Sequence, residues 1–204
     1  MDYVFGIATG LACGIAAALL TAKGEAAHLG GMKQVFADKK ELRAVLVVLA
    51  VCCVIGAYAV MLHGYGENAI KLIVIGSYLS SVTVNDMKRR EIPDLTTIVF
   101  SLLFIAVIWW FDGPSGLLAG AIGAAVPAVL LLVAMLIKKN SVGLGDIKMV
   151  AACGLICGFP GVFFVMFRAA LAILVYSLIM LIFKKLKLKS ELPFAPFLLF
   201  GALI

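Results

Sequence analysis

An all-α, polytopic membrane helix bundle is the fold class that this 204-residue chain predicts. Three observations carry it: 64% of the residues are hydrophobic, only 14% are charged, and the basic residues gather between the apolar runs. A soluble domain of this length needs roughly a quarter of its residues charged to cover its outside, whereas lipid solvates apolar side chains directly. The mean hydropathy of +1.17 agrees. The composition excludes a soluble enzyme or a nucleic-acid-binding module. The net charge of +6 is explained first by orientation in the bilayer rather than by a polyanionic partner.

A helix needs about 20 apolar residues to cross roughly 30 Å of hydrocarbon. Cutting the chain where charges, Gly or Pro interrupt the apolar runs gives segments 3–22, 44–62, 69–85, 95–111, 116–137, 147–157, 162–183 and 192–204. The first has Asp2 ahead of it instead of a basic region, and Lys23 behind it, so it reads as a retained span with its N-terminus outside. It and the next four are long enough to span. Segment 147–157 is bounded by Gly158, Pro160 and Gly161, with the turn there or nearer Arg168, and 162–183 is again a full span. Six full transmembrane helices plus two shorter segments result. The short ones, roughly 18 Å as helices, must tilt, thin the bilayer or pack against neighbours.

With eight alternating segments and an outer N-terminus, fifteen of the seventeen Lys and Arg residues fall on the inner side, which the positive-inside rule favours. The outer connections at 63–68 and 112–115 carry acids but no Lys or Arg. Residues 1–204 form one membrane domain with no separate soluble domain, since the longest loop, 23–43, has no periodic apolar face. All five cysteines lie inside apolar runs and read as structural. His28 and His63 fall on opposite faces and cannot form a joint ligand set. Lys88, Arg89 and Arg90 read as a positive-inside anchor.

Most of the eleven acids sit in loops, where a solvated charge needs no explanation. Asp86 and Asp146 differ, because each lies at the inner end of a predicted helix, sixty residues apart in sequence but at one membrane depth. Two carboxyls held close together cannot both ionise easily, so one keeps a proton. Such a pair can act as base toward water and acid toward a leaving amine, with no metal and no covalent intermediate. Gly143 and Gly145, just ahead of Asp146, permit unusual backbone angles and close approach of a substrate strand. The structural alternative is that Asp146 caps a helix and Asp86 ends a span beside three basic residues. Asp94, after Pro93, reads as a helix cap.

Asp86-Met87-Lys88-Arg89-Arg90-Glu91-Ile92-Pro93, then Gly143-Leu144-Gly145-Asp146-Ile147-Lys148, then Leu192-Pro193-Phe194-Ala195-Pro196-Phe197 resemble the type IV prepilin peptidases, the GxGD membrane aspartyl proteases. A lone GxGD is weak; three elements in order, each at a predicted inner helix end, are specific. The resemblance implies that Asp86 and Asp146 are the catalytic aspartates. It implies that Gly143, Gly145, Lys148, Pro93, Pro193, Phe194 and Pro196 are active-site loop or substrate-binding residues, with no metal and no cofactor. It further implies that a multi-pass protein of the cytoplasmic membrane, in contact with membrane lipid and not with nucleic acid, removes the short basic leader of pilin-like precursors at the inner boundary.

The chain departs from the family pattern at Asp94, where Asn is common, and at Ala195, where Gly is common. Loop 23–43 contains no cysteine, unlike the CxxC-bearing insertion of larger two-function members. This predicts a compact peptidase, closer to Tad-type or archaeal preflagellin enzymes, without methyltransferase activity. A GxGD protease of another branch usually has Tyr before its first aspartate, where Asn85 stands here. A small proton- or cation-coupled transporter expects its acids near the midplane, not at the inner boundary.

Overall fold

The computed structural model describes residues 2–29, 39–64, 66–138, 142–183 and 192–204. The described residues form eight helices and no strand. They are α1 (Asp2–Leu29), α2 (Lys39–His63), α3 (Glu67–Arg89), α4 (Asp94–Phe111), α5 (Gly113–Ile137), α6 (Leu144–Cys157), α7 (Gly161–Ile182) and α8 (Ala195–Leu203). In lipid every backbone polar group must be satisfied within its own segment, which leaves helices as the open-chain solution for such apolar runs. Four helices are long and apolar enough to cross a membrane among the described residues: Leu42–His63, Asp94–Phe111, Gly113–Ile137 and Gly161–Ile182. Within α1 the apolar stretch is Ala8–Lys23.

The most polar of the long helices sits in the middle. α3 carries Ser77, Ser80, Ser81, Asn85 and Asp86, yet thirteen of its residues are buried against three in α7. It packs against α1, α2, α4, α6 and α8 and so meets protein where α7 meets lipid. Its serine hydroxyls find partners: Ser77 and Ser80 donate to the carbonyls of Ile73 and Gly76 at 2.8 and 2.7 Å, and Ser81 lies 2.6 Å from the Thr21 hydroxyl of α1. On its α4 side Tyr78 stacks with Phe100 and Phe104, ring centroids 5.5 and 5.7 Å away.

Small residues let these helices close on one another. α1 meets α2 where a Cβ on Gly10 would stand 2.8 Å from the Cys52 carbonyl oxygen, and α5 meets α6 where one on Gly154 would collide with that of Gly123. The turn between α6 and α7 falls at Gly158, whose φ is +64°, and is tied down by the Phe159 N–H donating to the Ala119 carbonyl at 3.1 Å, so it lies well before Arg168.

Helices outrun their apolar segments at several ends: α1 runs to Leu29 and α2 starts at Lys39. α3 continues one turn beyond residue 85 to Arg89, and α6 begins at Leu144 rather than 147. Hydrogen bonding between backbone groups continues where side chains turn polar, so hydropathy alone ends these helices too soon. The last helix starts later than its segment, at Ala195, because Pro193 and its neighbours form the turn leading into it.

Candidate active site

Asp86 lies in the last turn of α3, about 22 Å along the helix from Lys71. The helix closes on Arg90, whose backbone is left-handed at φ 56° and ψ 34° and whose N–H donates to the Asp86 carbonyl at 2.9 Å. The Asp86 carboxylate is almost wholly buried, 6% exposed, and its Oδ2 accepts the Ala195 N–H at 3.0 Å. Ala195 opens α8, so this amide is one of the helix-start donors that have no partner within their own helix. The polar end of α8 therefore meets the acidic end of α3.

Asp146 is the third residue of α6, with Gly143 at the capping position before it. Its carboxylate accepts the Gly143 N–H, the return half of a capping box. Asp146 precedes the apolar stretch that begins at residue 147. Burial raises its carboxyl above the ordinary range and the nearby Asp86 charge raises it further, against the lowering effect of the Gly143 hydrogen bond. Asp86 and Asp146 line one cavity of about 620 Å³, together with Gly143, Gly145, Pro193 and Phe194. Three segments far apart in sequence, the end of α3, the start of α6 and the turn before α8, thus converge on one pair of carboxyls. No cluster of three or more His, Cys, Asp or Glu able to hold a metal occurs among the described residues.

Residues 72–178 match the model of the type IV leader peptidase family, and both aspartates fall inside the match. The chain belongs to that family. It is similar to a protein of Xanthomonas campestris pv. campestris named prepilin leader peptidase/N-methyltransferase, at 27% identity over 141 residues, 66% of this chain and 48% of that protein. A Bacillus subtilis protein of the same name is 28% identical over 156 residues, 76% of this chain and 62% of that one. The chain therefore spans about half to three-fifths of the length of these relatives. No solved structure matches.

Measured against the leader peptidase motifs, the remaining expected residues divide. The glycines supply space, not unusual angles: Gly143 has φ −74° and ψ 143°, which any residue adopts. A Cβ there would stand 3.3 Å from Asp146 Oδ2, and one on Gly145 would stand 3.3 Å from the Ile92 side chain. Lys148 faces away from the cavity and donates to Asp94 Oδ1 at 2.7 Å, at the edge of a separate hollow lined by Thr97, Ser101 and Ala152. Asp94 is consequently no cap. Pro93 holds the capping position without a side-chain bond, and Asp94 stands in the first turn, where an acid suits the helix dipole. Pro93 itself lies outside the cavity, its carbonyl accepting the Thr97 N–H at 3.1 Å. Pro196 lines a separate, mostly apolar groove between α7 and α8 with Tyr176 and Phe197.

Arg90, Ile92, Met135, Val142, Leu144 and Leu192 complete the cavity wall. Arg90 was readable as an anchor; its place in the wall comes from the end of α3, where its left-handed backbone closes the helix, and nearness in sequence to Asp86 was the available signal. Met135 and Val142 have no such signal.

Proposed function

We propose that this chain is a membrane aspartic endopeptidase that removes the short basic leader from type IV pilin-like precursors, with Asp86 and Asp146 as the catalytic pair. The observation that carries the reading is one cavity holding both carboxyls, the Asp146 group pushed up by burial and by Asp86, within the region that matches the leader peptidase family. Asp86 removes a proton from water, and the water oxygen bonds to the scissile carbonyl carbon. Asp146, protonated, polarises that carbonyl's oxygen; as the carbon–nitrogen bond breaks, the amine takes a proton from the pair. Gly143 and Gly145 keep the wall beside Asp146 free of Cβ atoms, and the turn of Pro193 and Phe194 holds the amide that binds Asp86.

In this reading six helices span the cytoplasmic membrane, α6 and α8 are the shorter segments, the N-terminus lies outside and the cavity opens to the cytoplasm. A precursor keeps its basic leader inside and its apolar helix in lipid, so the bond to be cut lies at the depth of the pair. A helix start, where the first amides lack partners, is easier to present in extended form than a helix interior. The stretch 23–43, without cysteine, fits a peptidase that transfers no methyl group. The test is co-expression with a pilin-like precursor. Asp86→Ala and Asp146→Ala each leave the precursor uncut while the protein still accumulates in the membrane, and full processing by either overturns the assignment.

A further inference from the structure

On the peptidase reading above, we infer that Arg168 is a positioning residue: by holding the Gly201 carbonyl it fixes α8 against α7, and α8 in turn fixes the amide that binds Asp86.

Arg168 is the only charged residue of α7, an otherwise apolar helix long enough to cross a membrane. It stands about 10 Å along the helix from Gly161, at a depth where a charge is costly unless it has a partner or a task. Its guanidinium Nη1 donates to the Gly201 carbonyl of α8 at 3.4 Å. The bond is long, but it is made in surroundings of low dielectric, where an arginine stays charged and a weak contact gains strength.

The two helices come closest at the same point. A Cβ on Gly201 would stand 2.5 Å from the Val165 carbonyl oxygen and 2.9 Å from the Ala169 nitrogen, and Val165 and Ala169 are two of the three buried residues of α7. Tyr176 then meets Phe197 edge to face, ring centroids 5.4 Å apart, so the helices run antiparallel. About 9 Å before Gly201, the Ala195 N–H donates to Asp86 Oδ2 at 3.0 Å. α8 has no charged side chain, and its backbone is what it offers at both contacts. A helix of nine residues moves as a rod, so a shift at Gly201 carries the Ala195 amide with it. A bond of 3.0 Å has little slack before it leaves the working range. The charged groups that line the cavity with Asp86 are Asp146 at the start of α6 and Arg90 at the end of α3, and a change at Arg168 alters neither.

The test uses the full chain in lipid nanodiscs, a pilin-like precursor and hydrogen exchange read at the Ala195 amide. Arg168→Met keeps an apolar stem and removes the donors. It lowers kcat by about tenfold with KM within about twofold, and the Ala195 amide exchanges about tenfold faster. Arg168→Lys, which keeps a cationic donor, recovers most of both. Gly201→Ala leaves the arginine in place and pushes α8 from α7; it reproduces both effects, so the question stays open to measurement even if Arg168→Met fails to accumulate. An unchanged kcat or unchanged Ala195 exchange in Arg168→Met or in Gly201→Ala, or an Arg168→Lys no better than Arg168→Met, overturns the inference. Absence of cleavage by every form, wild type included, instead removes the peptidase reading, and the Ala195 exchange still decides whether Arg168 holds that amide in place.

Discussion

Each end of α3 holds two acids brought together from distant parts of the chain, and the two ends treat them differently. At the start of the helix, Glu67 and Asp112 share Lys71. Burial alone would raise the Asp112 carboxyl, but the hydrogen bond and charge of Lys71 outweigh it and hold the group below the ordinary range. At the other end Asp86 and Asp146 border a cavity, and Asp146 is held above that range. The first arrangement ties α3 to the turn between α4 and α5. The second leaves Asp146 harder to ionise beside open space. A lysine between two carboxylates makes a strut, and a cavity between them, in the reading proposed above, makes a reagent.

The largest effect that can break this contrast is on turnover. Asp86→Asn and Asp146→Asn keep shape and remove charge, and each lowers precursor cleavage by at least about 10³-fold, because the two groups act as a unit. Glu67→Gln, at the strut, keeps cleavage within about twofold. Gel-shift assays of precursor processing on membranes containing equal amounts of each variant measure both. Comparable losses at the two ends would dissolve the distinction.

Next in size is the conversion of the strut. Lys71→Met leaves Glu67 and Asp112 facing each other without a cation. The half-buried setting makes the loss roughly 1–3 kcal/mol at neutral pH, below the cost of breaking a fully buried pair. Lowering the pH to about 4 protonates the stranded carboxyl and recovers part of it. Thermal unfolding in detergent at the two pH values reads the difference, and a loss that is the same at both would mean that the lysine stem, not its charge, is what counts.

The native protein offers a smaller test of the same contrast. Asp112, lowered in the folded state, contributes stability that is present above the unfolded carboxyl value of about 3.9 and lost as pH falls through its folded value. Asp146, raised in the folded state, contributes stability that is full below about 3.9 and lost as pH rises through its folded value. At pH 7, Asp112→Asn should therefore destabilise and Asp146→Asn should stabilise, each by roughly 1 kcal/mol or less after solvent screening. Melting curves of the two variants from about pH 4 to pH 7 should diverge in opposite directions.

The carboxylate pair was legible in the sequence because two acids at one membrane depth are costly unless they have a task, and helix ends at one depth can meet. The strut was not. Glu67 and Asp112 looked like ordinary loop acids and Lys71 lay inside segment 69–85, since nothing in hydropathy says that the turn after α4 folds back onto the start of α3. The same limit applies to α3 itself. Its serines and Asn85 weaken its appearance as a span, yet they mark it as the helix that others surround. The amide that holds Asp86 comes from Ala195, 109 positions away. The sequence marked that turn through its prolines and Phe194 but could not say which backbone donor would reach the acid.

Asp94 and Lys148 form a third charged contact, and the smallest effect belongs to it. They lie in the first turns of α4 and α6, on the same end of the bundle as the cavity, and both are largely exposed, 65% and 51% at the side chain. An exposed pair in water is worth little, so Asp94→Asn, which restores the residue common in the leader peptidases, should change stability by less than about 1 kcal/mol. It leaves Lys148 as a solvated cation and should keep cleavage within about threefold. The resemblance, however, puts Lys148 among active-site residues, and its contact joins the starts of α4 and α6 beside Ile92 and Gly145, which border the cavity. A loss beyond tenfold in Asp94→Asn, with unchanged melting, would mean that the pair fixes the spacing of those helix starts. Lys148 would then act on the catalytic carboxyls from outside their cavity, as a positioning residue that touches neither.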